Sequence, residues 1–332
     1  MGLVKLLPEF CPRPWGRRDL SPLYSIPPAA KDPIGEVWLS SMKCHVLGTD
    51  ASLGQETLGE LWTRMTPAER GPGLLGLKRF PLLTKFIFTA QKLSIQVHPD
   101  DTHARRYEGE PWGKTEVWYV VDAKPGAWVR VGVKPGIPLA KLRPLFGKHE
   151  IEDCLNYIAL RAGEVVYVPA GTIHTIGPGL CLCEVQQYSD ITYRIYDYDR
   201  VGLDGRKRPL HLEKALAVVR PEAPEAGRVV PVPLTDCKTQ GQVLVASPYF
   251  VVEKHGIRDT IKLVSDSSHF DLVVFSRGKG TLSSGSNQMN YVKGDSFLVF
   301  ANAGRAEVRP SEASEFLRLY VVSSPRATET SE

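Results

Sequence analysis

The sequence predicts a mainly β fold built around a buried polar site, and three observations carry that reading. Short apolar stretches with period-2 alternation recur along most of the 332 residues and end in Gly, Pro and Asp turn signals. From Gly163 to His174, GEVVYVPAGTIH reads as a tight hairpin: Val165 and Tyr167 alternate on a strand, Pro169-Ala170-Gly171 turns the chain, and His174 re-enters with its ring inward. Upstream, LSIQVHPDD places Gln96 and His98 two residues apart on an apolar strand, so both side chains leave the same face.

The remaining elements follow in chain order. Residues 35–48 and 83–98 read as strands, separated by QETLGELWTRMTPAER, whose Leu58, Leu61, Trp62 and Met65 have helical spacing and predict a small helical appendage near 55–70. Glu116, in GKTEVWYVV, heads the next strand, and Lys114 shares its face two residues earlier. Short helices are expected over 138–156, where Pro144 interrupts IPLAKLRPLFG, and again over HLEKALAVV from His211. In ITYRIYDYDR, alternation places Thr192, Arg194 and Tyr196 on one face; an inward arginine is costly unless it meets an anion. The basic residues Arg200, Lys207 and Arg208 follow in a loop expected to be mainly solvated, with His103, Asp100 and Asp101 shaping the turn after His98.

These spacings define a domain plan. Residues 1–219 are expected to form the domain with the chemistry, 220–235 a Pro- and Glu-rich linker, 236–323 a second β-domain, and 324–332 a disordered tail. In the carboxy-terminal half, KGDSFLVFANA echoes the first domain's AGEVVYVPAGT. The position matching His174 falls near Ala306, so no second metal site is expected there.

Gln96, His98, Glu116 and His174 together offer an amide oxygen, two imidazoles and one carboxylate. Such a mixed N/O set suits one borderline divalent ion such as zinc and leaves a position open for water or substrate. An iron oxygenase would favour a histidine-rich triad, and a non-catalytic binding module would have no need of Lys114 and Arg194 beside the metal.

The hairpin fits G-x5-P-x-G-x2-H, the second metal-binding hairpin of the cupin barrels, so the fold class expected is a double-stranded β-helix (cupin) barrel with a second, cupin-like β-domain. QVHPDD, GKTEVWYV, VPAGTIHTIG and ITYRIYDYDR occur in that order, with PWGRRDL and GEVWLSS before them. Together, over residues 13–215, they resemble the type I phosphomannose isomerases, in their compact bacterial branch. The resemblance implies zinc on Gln96, His98, Glu116 and His174, an active-site arginine at Arg194, and Asp190 assisting ring opening. Lys114 is the candidate acid/base, given a nearby cation to adjust its pKa. The implied reaction interconverts mannose 6-phosphate and fructose 6-phosphate through a cis-enediol.

Composition narrows the partners. A formal charge of +4 without a basic run gives no reason to expect nucleic acid or an anionic membrane surface. No apolar span approaches the roughly 20 residues of a membrane helix, and the six cysteines have no framework spacing, Cys181 and Cys183 reading as packed thiols. A small sugar phosphate is the expected partner and the cytoplasm the expected compartment.

Overall fold

The computed structural model describes residues 2–24, 31–48, 56–234, 240–264 and 267–321. The chain forms two compact units, one comprising Phe10–Val37 and Leu82–Val229, the other Met1–Glu9, Trp38–Pro81 and Val230–Glu332. This division differs from a boundary at residue 219. Leu3–Leu6 pairs antiparallel with Ser296–Val299, so the first residues are strand partners of the carboxy-terminal half. The expected linker is also shorter, because Gly227–Val229 is an edge strand paired with Val165–Val168. The expected disordered tail falls outside the described residues.

The unit carrying the site has two sheets. In the seven-stranded sheet the order is Gly227–Val229, Val165–Val168, Glu116–Ala123, Leu180–Gln187, Leu82–Phe88, Ile34–Trp38, Glu9–Arg17. In the five-stranded sheet it is Tyr193–Tyr196, Ile95–Val97, His174–Ile176, Trp128–Val133, Leu155–Ala159. Both are antiparallel at every register that bears on the site. Leu82–Phe88 and Leu180–Gln187 are buried along their whole length, so they carry apolar residues on both faces, with Lys85 and Glu184 as the single charges within them.

Two apolar clusters hold this unit. Ile87, Trp118, Val129, Val166 and Leu182 pack in one, and Ile95, Val97, Leu155, Ile173, Tyr193 and Ile195 in the other. Deleting one such aromatic costs about 3–5 kcal/mol, so the core is large enough to carry the fold without help from the polar site. The helix Leu212–Val218 covers the second cluster through Ala215 and Val218. Short helical turns at Leu139–Leu142, Arg143–Leu145 and His149–Cys154 occupy the predicted 138–156 segment, with Pro144 in the first turn of a 3-10 segment.

The other unit contains the helices predicted near 55–70. Leu58–Arg64 and Pro67–Arg70 each start in a reciprocal capping box, Thr57 with Glu60 and Thr66 with Glu69. They belong with the carboxy-terminal strands because Trp62 packs edge-on against Phe80 and Phe270, with centroids 5.3 and 5.8 Å away. The β-structure expected after residue 236 forms an eight-stranded and a four-stranded sheet around Phe275, Tyr291, Phe297 and Phe316.

Candidate metal and active site

The Pro169-Ala170-Gly171-Thr172 turn positions His174. Gly171 takes φ +85°, and a Cβ there would meet the Arg220 side chain at 2.8 Å and Val218 O at 2.9 Å, so both conformation and space demand glycine. Its N–H donates to His98 O at 2.8 Å, which ties the turn to the neighbouring ligand strand. His174 is then the direct cross-strand partner of Gln96. Gln96 is in turn the direct partner of Arg194, so His174, Gln96 and Arg194 form a row across three strands with their side chains on one face.

Glu116 comes from the other sheet. Its Oε1 lies 3.5 Å from His174 Nε2 and its Oε2 3.6 Å from His98 Nε2, which means that the two sheets face each other across this point. His98, Glu116 and His174 are all buried, with candidate ligand atoms within 4.8 Å of one another. Each imidazole is oriented from behind: Nδ1–H of His98 donates to Ile191 O at 2.8 Å, and Nδ1–H of His174 to Thr172 O at 2.9 Å. Those bonds select the tautomer that presents a bare Nε2 to the centre. Burial lowers the pKa of both rings, that of His174 to about 4, so both stay neutral and able to ligate at neutral pH.

This donor set fits a divalent cation on an observation independent of the motif. Both Glu116 oxygens are buried and accept no hydrogen bond of adequate geometry. Lys114 Nζ lies 2.8 Å from Oε2, at ion-pair distance but outside hydrogen-bonding angles. With Lys114 on one side only and two unprotonated imidazole nitrogens facing it, this buried carboxylate keeps lone pairs that a divalent cation would complete. Gln96 closes the set, its Nε2 being placed 3.2 Å from His174 Nε2 and its Oε1 accepting from Ser94 Oγ at 3.0 Å. Exchanging the two amide ends would aim the oxygen at the metal position and let Ser94 accept instead.

Beside this centre, reached through Gln96 and Lys114, lies a cavity of about 420 Å³ also lined by Arg194, Asp190, Arg208 and Arg13, among others. A larger groove of about 1070 Å³, along residues 131–139 and 219–226, contains none of the ligands, so the chemistry selects the smaller one. Lys114 Nζ is 3.2 Å from His98 Nε2 and 3.7 Å from Glu184 Oε1; burial lowers its pKa, but Glu116 and Glu184 more than offset this and the net shift is upward. Asp190 stands at the mouth, its side chain about half exposed.

Other expectations resolve differently. A register shift between Arg194 and Tyr196 re-aims Tyr196 into the apolar cluster with Tyr198, while Thr192 and Arg194 stay on the cavity. Of the basic loop, Lys207 pairs with exposed Asp199 and Arg200 with Asp197; Arg208 reaches the cavity. Asp100 caps the helix Asp101–Glu108 by accepting from the His103 N–H, so the segment after His98 is a helix start rather than a simple turn.

Sequence reasoning missed four cavity residues, Lys85, Glu184, Glu36 and Arg13. Lys85 and Glu184 are direct cross-strand partners, and Lys85 Nζ also reaches Glu36 at 3.7 Å and Asp190 at 3.5 Å. Trp118 Nε1–H donates to Glu184 Oε2 at 3.0 Å. The available signal was a single charge in each of two mainly apolar segments, LLTKFIF and LCLCEVQQ, since a lone buried charge requires a partner.

The model of the phosphomannose isomerase type I catalytic domain matches residues 3–123, a stretch that includes Gln96, His98, Lys114 and Glu116. The chain is 34% identical over 298 residues to the mannose-6-phosphate isomerase ManA of Bacillus subtilis, covering 88% of this chain and 91% of that protein. It belongs to the type I phosphomannose isomerases. The mannose-6-phosphate isomerase of Streptococcus mutans is 39% identical over 220 residues, 66% of this chain and 68% of its own length. Among solved structures, that of the mannose 6-phosphate isomerase from Bacillus subtilis superimposes with a TM-score of 0.85 at 30% identity, over 96% of this chain and 99% of that one. The phosphomannose isomerase of Salmonella typhimurium, at 16% identity and a TM-score of 0.78 over 97% and 100% of the two chains, shares the fold. The fold of this phosphomannose isomerase is thus mainly β and cupin-type, although its sheets remain open among the described residues rather than closed into a continuous ring. As a member of the family the chain is an isomerase.

Proposed function

We propose that this isomerase is zinc-dependent and interconverts D-mannose 6-phosphate and D-fructose 6-phosphate through a cis-enediol. The observation that carries the reading is the convergence of two neutral imidazoles, each with its unprotonated Nε2 inward, on a buried carboxylate that accepts no hydrogen bond. Gln96, His98, Glu116 and His174 would hold the ion, with Lys114 and Arg194 beside it. When bound, zinc supplies a Lewis acid that polarises the sugar carbonyl and its neighbouring hydroxyl.

The chain's own groups divide the remaining work. Arg194 faces the cavity from the same row as Gln96 and is placed to stabilise negative charge growing on the enediol oxygens. Lys114 is the candidate for moving the proton between the two carbons. Its pKa is raised by Glu116 and Glu184, and a divalent charge on Glu116 would oppose that shift and bring the amine toward a working range. Asp190, at the mouth, is placed to assist ring opening before the sugar meets the inner groups.

The compartment proposed is the cytoplasm; Cys181 and Cys183 are buried free thiols, and burial pushes both well up from the usual thiol range. A coupled assay for fructose 6-phosphate formed from mannose 6-phosphate, run before and after chelation and after zinc is restored, tests the whole reading. No product, or full activity after exhaustive chelation, would reject it.

A further inference from the structure

Arg194 reaches the cavity with its charged end unanchored. Among the described residues no carboxylate lies within ion-pair distance of its guanidinium, and its buried Nε has no hydrogen-bond partner. A side chain left free at its tip takes its aim from its backbone, so what holds that backbone matters.

The hold comes from outside the sheet. Tyr193–Tyr196 is an edge strand, and its ladder with Ile95–Val97 shifts register directly after Arg194. His211 stands where a further strand would: its backbone N–H donates to Arg194 O at 2.8 Å, and its ring Nδ1 accepts from the Arg194 N–H at 3.1 Å. The two bonds bracket a single residue. His211 also begins the helix Leu212–Val218, yet its side chain makes no capping bond to that helix. The ring is committed to Arg194 instead. Its own C=O accepts from Ala215 N–H at 2.8 Å, which ties the histidine to a helix packed on the apolar cluster through Ala215 and Val218.

A ring nitrogen that accepts a hydrogen bond carries no proton, so the bracket requires Nδ1 to be bare. Burial lowers the pKa of His211, and the charges of Arg194 and Lys214 lower it further, against a smaller opposing effect of Glu108. Glu108 accepts from the Tyr193 hydroxyl and from Lys214 Nζ, each at 2.8 Å, and the Tyr193 ring centroid lies 6.2 Å from that of His211. The imidazole is therefore neutral near pH 7. In acid, a proton on Nδ1 would set N–H against N–H and place a second positive charge beside Arg194.

We infer that His211 is a positioning residue for Arg194: its bare Nδ1 and its backbone N–H fix the strand residue whose guanidinium faces the reacting carbons. The inference rests on the role proposed for Arg194 above and extends it to a residue that does not itself line the cavity.

The test combines hydrogen–deuterium exchange at the Arg194 amide with steady-state kinetics on mannose 6-phosphate at matched zinc content, from about pH 7 to about pH 5. His211→Ala should speed that exchange about tenfold or more and lower turnover about tenfold or more, with KM changed less. His211→Asn, whose Oδ1 can accept the same N–H but does not titrate, should keep the slow exchange and recover most of the turnover near pH 7. It should also lack the acid fall that the wild type shows as His211 protonates. Wild-type turnover in His211→Ala overturns the inference, whatever its exchange rate, as does an acid fall in His211→Asn equal to that of the wild type. Should His211→Ala fail to fold, His211→Asn decides by the same two measurements. A protein that shows the exchange effect yet forms no fructose 6-phosphate would sustain the hold of His211 on Arg194 and reject the proposed reaction.

Discussion

Lys85 and Glu184 face each other as direct partners on adjacent strands, with Nζ and Oε1 3.3 Å apart and both side chains buried. The pair lies on the wall of the cavity that also contains Lys114 and Arg194. Lys85→Met takes the central cation from a buried group of carboxylates, leaving Glu184 with Lys114 at 3.7 Å and Glu36 with Arg13 at 2.6 Å. Such a change costs about 3–5 kcal/mol, whereas Lys85→Met combined with Glu184→Gln should recover part of it. Urea unfolding of the two variants measures this, and a single variant as stable as the wild type would show the pair to be dispensable.

Metal and activity should be lost together. His174→Ala removes one bare Nε2 from the centre, and the rate is expected to fall about a hundredfold or more in parallel with zinc content. Circular dichroism should remain close to wild type because the apolar clusters do not depend on the site. A metal-replete, fully active variant would show that His174 is not a ligand.

Arg194→Ala should lower turnover by roughly a hundredfold, the scale of losing one preorganised charge-stabilising donor, with zinc retained. A change confined to KM would place Arg194 on the phosphate instead. Steady-state kinetics on a variant of checked zinc content distinguishes the two.

Acid should destabilise the metal-free protein through its buried imidazoles. A histidine whose folded pKa is depressed contributes stability that is present above its unfolded pKa and lost as pH falls toward the folded value. For His174 that window runs from 6.5 down to about 4, with His98 shifted in the same direction. His174 alone accounts for about 3 kcal/mol over that range. Denaturation midpoints in chelator should be flat above pH 7 and fall between pH 6 and 4, and His174→Gln should flatten the fall.

In the other unit, His269 stacks on Tyr320 with centroids 4.2 Å apart and lies 3.4 Å from Asp271. Neither Tyr320 nor Asp271 lines the cavity, so His269→Ala should leave turnover within about twofold, a margin of roughly 0.4 kcal/mol in barrier height. A loss of orders of magnitude in a folded variant would assign this half a part in catalysis.

Local spacing was enough to read much of the site. Gln96 with His98, and Lys114 with Glu116, are pairs two residues apart on extended chain, where period 2 sends both side chains to one face; Gly171 is required by its turn, and His174 follows three residues later. Such relations need no knowledge of the rest of the molecule, because strand and turn geometry act within a few residues. Which sheet faces which is not of that kind. Only the tertiary structure sets Glu116 against the two histidines, pairs Lys85 with Glu184, brings Arg13 and Arg208 to one cavity, and joins Leu3–Leu6 to Ser296–Val299. Those contacts span from 18 to nearly three hundred residues of chain, and hydrogen bonding between strands and burial of charge against charge choose them after the local elements exist.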